Sequence, residues 1–550
     1  MKLSKRPGLW LLWNFAAVLL LAGAYATHGQ GAATRAAPQR QQPVTRPDTQ
    51  LARRPQLDSV APQLSGPPAP GVSGAAAPVD SPTAAATTPQ TTQPTRARDL
   101  DTPVHLRLMS LVGMLLLMVI AWLLSVNRAL VPWRIILWGT GLQLIFALLI
   151  LKTNAGVAFF DSLNDVIVSL LNFTSEGARF LFGNLIVNNV PIARGEPGMG
   201  PAAPIPGMVA NTGAFFAFSI LPTIVFFSSL TTMLYYFGVL QTVVKGIAWV
   251  MLRTMRTSGA ETLSAAGNIF LGQTEAPLLI KPYVAGMTMS ELMAVMVGGF
   301  ANIAGGVLAA FVALLVAQIP DIAGHLLAAS VMSAPGTLVF AKLMYPETGE
   351  PATRGQLHVA VEKIDANVID AAARGAGEGL HLAFNVGAML LAFIAIIAVL
   401  NALLGLFGEW TRLADVLQGY GWLAEGQRLN LQSILGWLFA PLAWIMGVPW
   451  SDATTVGSLI GIKTSVNEFV AYLRLSDMLA AGTDLSPRSI VIASYALCGF
   501  ANFSSIAIQI GGIGGMAPGR RSDLARLGLR AMIGGSLATF MTATIAGMLI

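Results

Sequence analysis

Long apolar runs alternate with short polar segments along most of the chain beyond residue 103. An α-helix of about 20 residues is long enough to cross the roughly 30 Å of hydrocarbon in a bilayer. The pattern therefore predicts an all-α, polytopic membrane protein with eight transmembrane helices. These helices are predicted at residues 108–126, 135–151, 214–240, 292–319, 322–341, 382–408, 489–510 and 532–550.

Three segments are too broken or too charged to be simple spans. Residues 258–287 and 451–480 are apolar, but each is interrupted near its middle by polar residues that include a carboxylate. This pattern predicts two re-entrant helical hairpins, which a membrane tolerates only where protein or a water-filled cavity surrounds them. Residues 357–380 mix charged and β-branched positions and predict an amphipathic helix on the membrane surface, with a helix in a cytosolic loop as the alternative.

The N-terminal hundred residues have a different composition. Residues 1–26 place basic side chains before an apolar stretch and a small-x-small pattern, which predicts a cleaved signal peptide, with an uncleaved signal anchor as the alternative. Between residues 27 and 100 lie twelve of the 31 prolines and no Phe, Trp, Tyr, Ile or Met. This stretch cannot bury enough apolar area to fold, so we predict a disordered periplasmic tether over residues 27–103.

Composition supports the membrane assignment and limits the functions to consider. Charged residues make up 11% of the chain and apolar residues 54%, and the net charge of +6 is too small and too scattered for a nucleic-acid surface. The single cysteine, Cys498, excludes an intrachain disulfide and a thiolate metal cluster. Basic residues are more frequent in the loops that face inward if the tether is outside, which agrees with an exported N-terminus.

One short motif occurs twice. Gly-Phe-Ala-Asn stands at residues 299–302 and again at 499–502, each time inside a predicted span that follows a predicted hairpin. Each hairpin carries a carboxylate near its break, Glu275 in the first and Glu468 in the second. Three predicted spans lie between the hairpins, so the second copy is inverted relative to the first. Inverted repeats with discontinuous helices are typical of secondary transporters, which bind solute near the membrane midplane; chance similarity in a chain rich in Gly and Ala is the alternative.

The polar residues at the hairpin breaks and in the repeated motif indicate what such a protein binds. Carboxylates within a membrane are costly and are functional by default, although an ion pair between Glu468 and Lys463 is an alternative, structural interpretation. The candidate residues offer neutral donors and acceptors and two carboxylates, without an arginine cluster, which favours a polar, uncharged solute. They are Gln273, Thr274, Glu275, Glu468, Asn502 and Ser505, with Phe500 and Phe469 as an apolar face for a ring.

The same residues belong to longer motifs that resemble the concentrative nucleoside transporter family over roughly residues 104–550. The motifs are Gly-Gln-Thr-Glu-Ala-Pro-Leu-Leu at 272–279, Pro-Glu-Thr at 346–348, Asn-Val-Ile-Asp-Ala-Ala at 367–372, Asn-Val-Gly at 385–387, Asn-Glu-Phe-Val-Ala-Tyr at 467–472 and Ala-Leu-Cys-Gly-Phe-Ala-Asn-Phe-Ser-Ser at 496–505. The resemblance implies a homotrimer of the bacterial eight-span type, which places the chain in the bacterial inner membrane with its N-terminal tether in the periplasm. In this family a transport domain moves against a fixed scaffold, and a sodium or proton gradient drives nucleoside uptake.

The resemblance also implies roles for individual residues. The nucleobase would be contacted by Gln273, Thr274 and Glu275. The ribose hydroxyl groups would be held by Glu468, Asn502 and Ser505, with Phe500 near the sugar.

A coupling ion is implied as well. A Na⁺ ion would bind oxygen atoms of Asn268, Leu271, Asn302 and Ile303, and neutral oxygens of this kind suit a weakly held cation. At the position of Asn302 the family is expected to have a small hydroxyl residue, so the asparagine alters the size of the cavity. A proton carried by Glu275 or Glu468 is the alternative coupling ion.

These observations divide the body of the chain into four parts. Residues 104–256 hold the N-terminal scaffold spans, 257–341 the first hairpin and repeat, 342–450 interfacial helices and the sixth span, and 451–550 the second hairpin and repeat. We expect a cation-coupled nucleoside symporter that is not an enzyme, has no cofactor besides Na⁺ or H⁺, and contacts membrane lipid but no nucleic acid.

Two other functions are considered. Within transport, the alternative is a cation-coupled importer of nucleobases or of another polar neutral solute. A membrane-embedded hydrolase could also use two carboxylates. Against a hydrolase, neither hairpin motif has a histidine or a metal-ligand cluster nearby.

Overall fold

The computed structural model describes residues 102–187, 189–194, 203–211, 216–355 and 365–550, and within these ranges it is mostly helical. Eight segments are long and apolar enough to cross a membrane. They are Val104–Leu123, Trp133–Lys152, Asn154–Ile186, Phe216–Tyr236, Met289–Leu315, Ile322–Met344, Val368–Trp410 and Pro518–Leu549. The predicted all-α polytopic fold is confirmed, while the predicted signal peptide and nearly all of the predicted tether lie outside the described residues.

The N-terminal part of the described body contains five helices and a β-hairpin. The helices are α1 (Val104–Leu123), α2 (Trp133–Lys152), α3 (Asn154–Phe182), α4 (Leu221–Tyr236) and α5 (Val239–Met255). Between α3 and α4, the strands β1 (Asn189–Arg194) and β2 (Ala203–Asn211) form an antiparallel pair. Neither α3 nor the β-hairpin is among the elements predicted from the sequence.

The first repeat begins with a hairpin and continues with an interrupted helix. Helix α6 (Gly259–Gly267) enters the hairpin, and a 3₁₀ turn (Ala276–Ile280) followed by α7 (Lys281–Val284) leaves it. The span predicted at residues 292–319 is not continuous, because it ends as α8 (Met289–Ala301) and restarts as α9 (Gly305–Leu315). The interruption falls at Asn302, at the end of the first Gly-Phe-Ala-Asn motif. The repeat closes with α10 (Ile322–Met344).

The second repeat has the same construction. After α13 (Leu431–Ile445), its hairpin is made of α14 (Trp450–Ser465) and α15 (Glu468–Ala480). The span predicted at 489–510 is again two helices, α16 (Pro487–Leu497) and α17 (Phe503–Met516), separated at the second Gly-Phe-Ala-Asn motif. The chain ends in α18 (Arg521–Leu549).

Among the described residues, three helices connect the repeats, and α13 is the last of them. Helix α11 (Val368–Trp410) runs for 43 residues, and the short α12 (Leu413–Gly419) follows it. The predicted surface helix at 357–380 lies partly outside the described residues, and its described second half is continuous with the predicted sixth span within α11. Gly375 and Gly379 let α11 approach α4 closely, since a Cβ atom at either glycine would lie 2.8 Å from a Cα atom of α4.

Burial separates a central group of helices from a peripheral one. In the span of α8 and α9 and in α10, 94% of the most apolar window is buried inside the chain, and in α18 83% is. In α1, α3, α4 and α11 the corresponding share is 17–28%. The peripheral helices therefore turn apolar side chains outward, as expected for helices that face lipid or another subunit.

The two interruptions meet in the centre. A Cβ atom at Gly499 would lie 2.8 Å from the carbonyl oxygen of Phe300 and 3.1 Å from that of Ala301, so only glycine allows this approach. The backbone N–H of Phe500 also faces the carbonyl oxygen of Asn302, at 3.4 Å. The repeated motif thus lies where the two inverted repeats touch.

Candidate functional site

The tip of the first hairpin, residues 268–275, carries three of the predicted substrate-binding side chains. The carboxylate of Glu275 turns back and accepts the backbone N–H of Gly272 at 3.1 Å, which closes the loop. Pro277 lies in the first turn of the following 3₁₀ helix, where its missing N–H costs nothing. Gln273 is buried, and Thr274 and Glu275 are half-buried.

The tip of the second hairpin is built around an asparagine cap. The side chain of Asn467 accepts the backbone N–H of Val470 at 2.9 Å and so starts α15. Glu468 is the first residue of that helix, and its side chain is only 4% exposed. The positive end of the α15 dipole therefore lies beside the carboxylate of Glu468.

A continuous chain of hydrogen bonds joins the two tips. Asn502 donates from Nδ2 to Oε2 of Glu468 at 2.9 Å, and its Oδ1 accepts the backbone N–H of Ser505 at 2.9 Å. Gln273 donates from Nε2 to Oγ of Ser505 at 3.3 Å, and its Oε1 accepts from Nε2 of Gln509 at 3.2 Å. We call these five residues the polar bridge. It brings four of the predicted substrate-binding residues into one buried cluster that both repeats build.

The remaining predicted substrate-binding residues flank the polar bridge. Thr274 packs against α17, where a Cβ atom at Gly512 would lie 2.6 Å from its Cγ2. Phe500 is 9% exposed and lies in the break between α16 and α17. Phe469 instead packs against Phe311, with ring centroids 4.6 Å apart, and so belongs to the core.

The structural interpretation of Glu468 as half of an ion pair does not match the geometry. The ammonium group of Lys463 donates to the backbone carbonyl of Ala496 at 2.8 Å and lies 5.6 Å from the centre of the Phe540 ring. Among the described residues, the ion pairs shorter than 4.0 Å do not include Lys463 with Glu468. Lys463 therefore ties α14 to α16, and the second oxygen of the Glu468 carboxylate is not held by a cation.

Two asparagines mark the predicted cation site. Asn268 donates from Nδ2 to the carbonyl oxygen of Ser264 at 3.0 Å, and Asn302 donates from Nδ2 to that of Gly298 at 3.3 Å. Both Oδ1 atoms are buried and have no hydrogen-bond partner. The two side chains flank the same residue, because a Cβ atom at Gly298 would lie 2.9 Å from Nδ2 of Asn268.

This donor set suits an alkali cation. A backbone carbonyl can only accept, so each amide nitrogen must face its carbonyl and each amide oxygen must face away. Buried oxygens without a donor are costly unless a ligand occupies them. Leu271 and Ile303, whose carbonyl oxygens are the other predicted ligands, lie in the same two breaks. Within the described part of the chain no group of three His, Cys, Asp or Glu side chains forms a transition-metal site.

The sequence reasoning missed two features of the site. Gln509 of the polar bridge lies inside an apolar helix, and its only sequence signal is its spacing of four residues from Ser505. A cavity also opens between the first hairpin and helices α4, α9 and α11. Its walls include Tyr235, Glu275, Arg374 and Glu378.

Three family models match the chain. Residues 325–547 match the C-terminal domain of Na⁺-dependent nucleoside transporters, residues 112–185 match the N-terminal domain of the same proteins, and residues 217–318 match a nucleoside-recognition "Gate" domain.

Curated relatives agree with these models. An uncharacterized transporter of Haemophilus influenzae is 44% identical over 80% of this chain and 98% of its own length. Solute carrier family 28 member 3 and sodium/nucleoside cotransporter 1, both of Mus musculus, are each 40% identical over 80% of this chain. The chain spans 59% and 64%, respectively, of the length of these two animal relatives.

Solved structures of one protein, CNTnw, are similar over the same part of the chain. CNTnw in an inward-facing, substrate-bound state is 42% identical, with a TM-score of 0.68 over 81% of this chain and 98% of that one. A doubly substituted CNTnw in an outward-facing state gives a TM-score of 0.70 at 42% identity, with the same coverage.

Proposed function

This chain belongs to the family of Na⁺-dependent nucleoside transporters, and from its hairpin geometry we propose that it imports nucleosides together with Na⁺ by alternating access. It is a multi-pass membrane protein, and because the family consists of transporters, the prediction that it is not an enzyme is confirmed. We also propose that transport is inward, that the protein lies in the cell inner membrane and that it assembles as a homotrimer. The residues that bind solute and ion are assigned below.

The polar bridge carries the proposal. It places amide, hydroxyl and carboxylate groups from both inverted repeats in one buried chain between two hairpin tips. A solute that binds here contacts both repeats at once and can therefore be sensitive to their relative arrangement. These groups match the hydroxyl groups and ring heteroatoms of a nucleoside.

We assign the base to the first tip and the sugar to the second. Gln273, Thr274 and Glu275 face the base, and Glu468, Asn502 and Ser505 bind the ribose hydroxyl groups, with Phe500 beside the sugar. A carboxylate accepts hydrogen bonds from two vicinal hydroxyl groups, which is a reason for Glu468 to stand at the ribose end.

Na⁺ binds the oxygens of Asn268, Leu271, Asn302 and Ile303 in this scheme. The site shares the first tip with the base contacts, so an ion there orders the loop that holds Gln273. Ordering by one ligand lowers the entropy cost of binding the other. Each ligand must therefore raise the binding affinity of the other by the same factor.

Alternating access is supported by the states in which a similar protein has been solved. CNTnw has been solved in inward-facing, outward-facing and intermediate states. In this chain the buried hairpins and interrupted helices form the part that moves, and the peripheral helices, including α4 and α11, form the scaffold. The cavity between the first hairpin, α4 and α11 lies at the boundary of these two parts.

Transport assays in proteoliposomes test the proposal. An inward Na⁺ gradient should drive uphill accumulation of labelled uridine, and an imposed proton gradient alone should not. Accumulation that follows the proton gradient would make H⁺ the coupling ion, with Glu275 or Glu468 as its carrier. Competition by uracil that equals competition by uridine would favour the nucleobase alternative, because Glu468, Asn502 and Ser505 then have no ribose to bind.

A further inference from the structure

Gln509 is fully buried at the end of the polar bridge and is not among the residues assigned to the solute. It lies on α17 four residues after Ser505, so both side chains project from the same face of that helix. Its Nε2 atom donates to Oε1 of Gln273 at 3.2 Å and to the carbonyl oxygen of Met296 at 3.2 Å. Gln509 therefore joins a helix of the second repeat to the tip and to α8 of the first.

The carbonyl group of Met296 fixes the direction of these hydrogen bonds. A backbone carbonyl accepts and never donates, so the atom of Gln509 that faces Met296 must be the amide nitrogen. The same nitrogen faces Gln273, which must therefore turn its amide oxygen toward Gln509. The amide nitrogen of Gln273 is left on the opposite side, where it donates to Oγ of Ser505 at 3.3 Å.

Gly299 provides the space for this arrangement. A Cβ atom at Gly299 would lie 2.6 Å from Nε2 of Gln509 and 2.9 Å from Cβ of Gln273. Both distances are too short for non-bonded contact, so a larger residue would push the two amides apart.

The orientation has a consequence for base recognition. A hydroxyl group both donates and accepts, so Ser505 can exchange Gln273 for a ribose hydroxyl when solute binds. Gln273 then offers an N–H donor, and not a carbonyl acceptor, to the base. Building on the proposed nucleoside transport, we infer that Gln509 is a positioning residue. It fixes the donor character of Gln273, so that the site favours bases with a carbonyl acceptor at the position that Gln273 faces over bases with an amino group at that position.

The test compares two ratios of transport efficiency, kcat/KM, in proteoliposomes. Uridine and cytidine differ at the base edge: uridine has a carbonyl acceptor at position 4 beside an N3–H donor, and cytidine has an amino group at position 4 beside an N3 acceptor. Uridine and 2′-deoxyuridine differ only in the sugar. Gln509→Met removes the donor and frees Gln273 to present either side of its amide. We expect the uridine-to-cytidine ratio to move toward one by about two- to tenfold, the range that one neutral hydrogen bond supports, and the sugar ratio to stay unchanged.

A matched variant controls for the loss of an amide within the membrane body. Gln432 bonds to Asn401 at 3.1 Å and takes no part in the polar bridge. Gln432→Met should leave both ratios unchanged.

Three outcomes overturn the inference. One is a uridine-to-cytidine ratio of one in the unsubstituted protein, and another is a base ratio that Gln509→Met does not move. The third applies if Gln509→Met does not assemble. Gly299→Ala is then measured instead, and an unchanged uridine-to-cytidine ratio in that variant overturns the inference. Failure of the unsubstituted protein to transport any nucleoside would instead remove the proposed function itself.

Discussion

Two of the regions that bury polar side chains differ in how completely those side chains are paired. The first region, which we call the basal cluster, surrounds Lys342 near the end of α10. Its ammonium group has three donors and meets three acceptors: Glu261 at 2.6 Å, Ser290 at 2.9 Å and Glu347 at 3.1 Å. Glu261 also closes the capping box that starts α6.

The second region is the centre of the molecule, where the hairpin tips meet the interrupted helices. There the side-chain oxygens of Asn268, Asn302 and Gln509 and the amide nitrogen of Asn467 are buried without a partner. A protein that buries polar atoms normally satisfies them, as the basal cluster does. The comparison teaches that the basal cluster holds helix ends together, whereas two of the unpaired central oxygens, those of Asn268 and Asn302, belong to the cation site proposed above.

The largest expected effect is on stability and comes from the basal cluster. Lys342→Met removes the shared cation and leaves the buried carboxylate of Glu261 and the half-buried carboxylate of Glu347 unpaired, which should lower the free energy of unfolding by about 3–5 kcal/mol. Thermal unfolding of the purified protein measures the loss. Lys281→Met, at an exposed position on α7, should change stability by less than about 0.5 kcal/mol. Equal melting temperatures for the two variants would contradict the structural role of the cluster.

The next effect is on transport and comes from the centre. Glu468→Gln keeps the size of the side chain but removes the charge that accepts from Asn502 and, in our assignment, from ribose. The loss of one charged hydrogen bond should lower kcat/KM for uridine about ten- to hundredfold while assembly is retained. Glu409→Gln, at a side chain that pairs with Arg428 on the surface, is the control. Uptake within twofold of the unsubstituted protein would remove Glu468 from the site.

The cation site is tested by a pair of substitutions at one position. Asn302→Leu removes the unpaired oxygen and should raise the Na⁺ concentration for half-maximal uptake by about ten- to hundredfold. Asn302→Ser retains an oxygen and should keep the Na⁺ dependence. If both variants depend on Na⁺ alike, Asn302 is not a ligand.

The smallest effect is expected at an ion pair outside both regions. Asp365 accepts from Arg374 at 2.7 and 2.8 Å, and these hydrogen bonds hold the pKa of its carboxyl group below the usual range. The pair therefore stabilises the fold above the ordinary carboxyl pKa, and this contribution is lost as the pH falls through the lowered pKa. Asp365→Asn should cost at most about 1 kcal/mol at pH 7. Melting temperatures should converge with the unsubstituted protein in acid, and a constant difference would contradict the pairing.

The sequence predicts the parts of this fold that a local pattern marks. The hairpins at 258–287 and 451–480 are marked by polar residues within apolar segments, and both are present. The interruptions in the spans predicted at 292–319 and 489–510 are not marked in this way, because a single asparagine in an apolar helix is compatible with a continuous span. Only the repeated Gly-Phe-Ala-Asn motif points to these positions.

The residues of the candidate site are likewise predictable only where a local pattern marks them. Glu275 and Glu468 are visible in the sequence because carboxylates are rare in apolar segments. Gly299 stands in the repeated motif, but its contact with Gln509 could not be predicted, since it forms between two repeats that are about 200 residues apart in the chain. Helix α3 was missed for a local reason: acidic and amide side chains interrupt its apolar pattern.

The central claim is that the unpaired oxygens of Asn268 and Asn302 and the neighbouring polar bridge bind Na⁺ and nucleoside jointly. The direct measurement is the uridine dissociation constant of the purified protein with and without Na⁺, and the Na⁺ dissociation constant with and without uridine. Joint binding predicts that each ligand tightens the other by the same factor. Uridine affinity that is indifferent to Na⁺ would contradict the account.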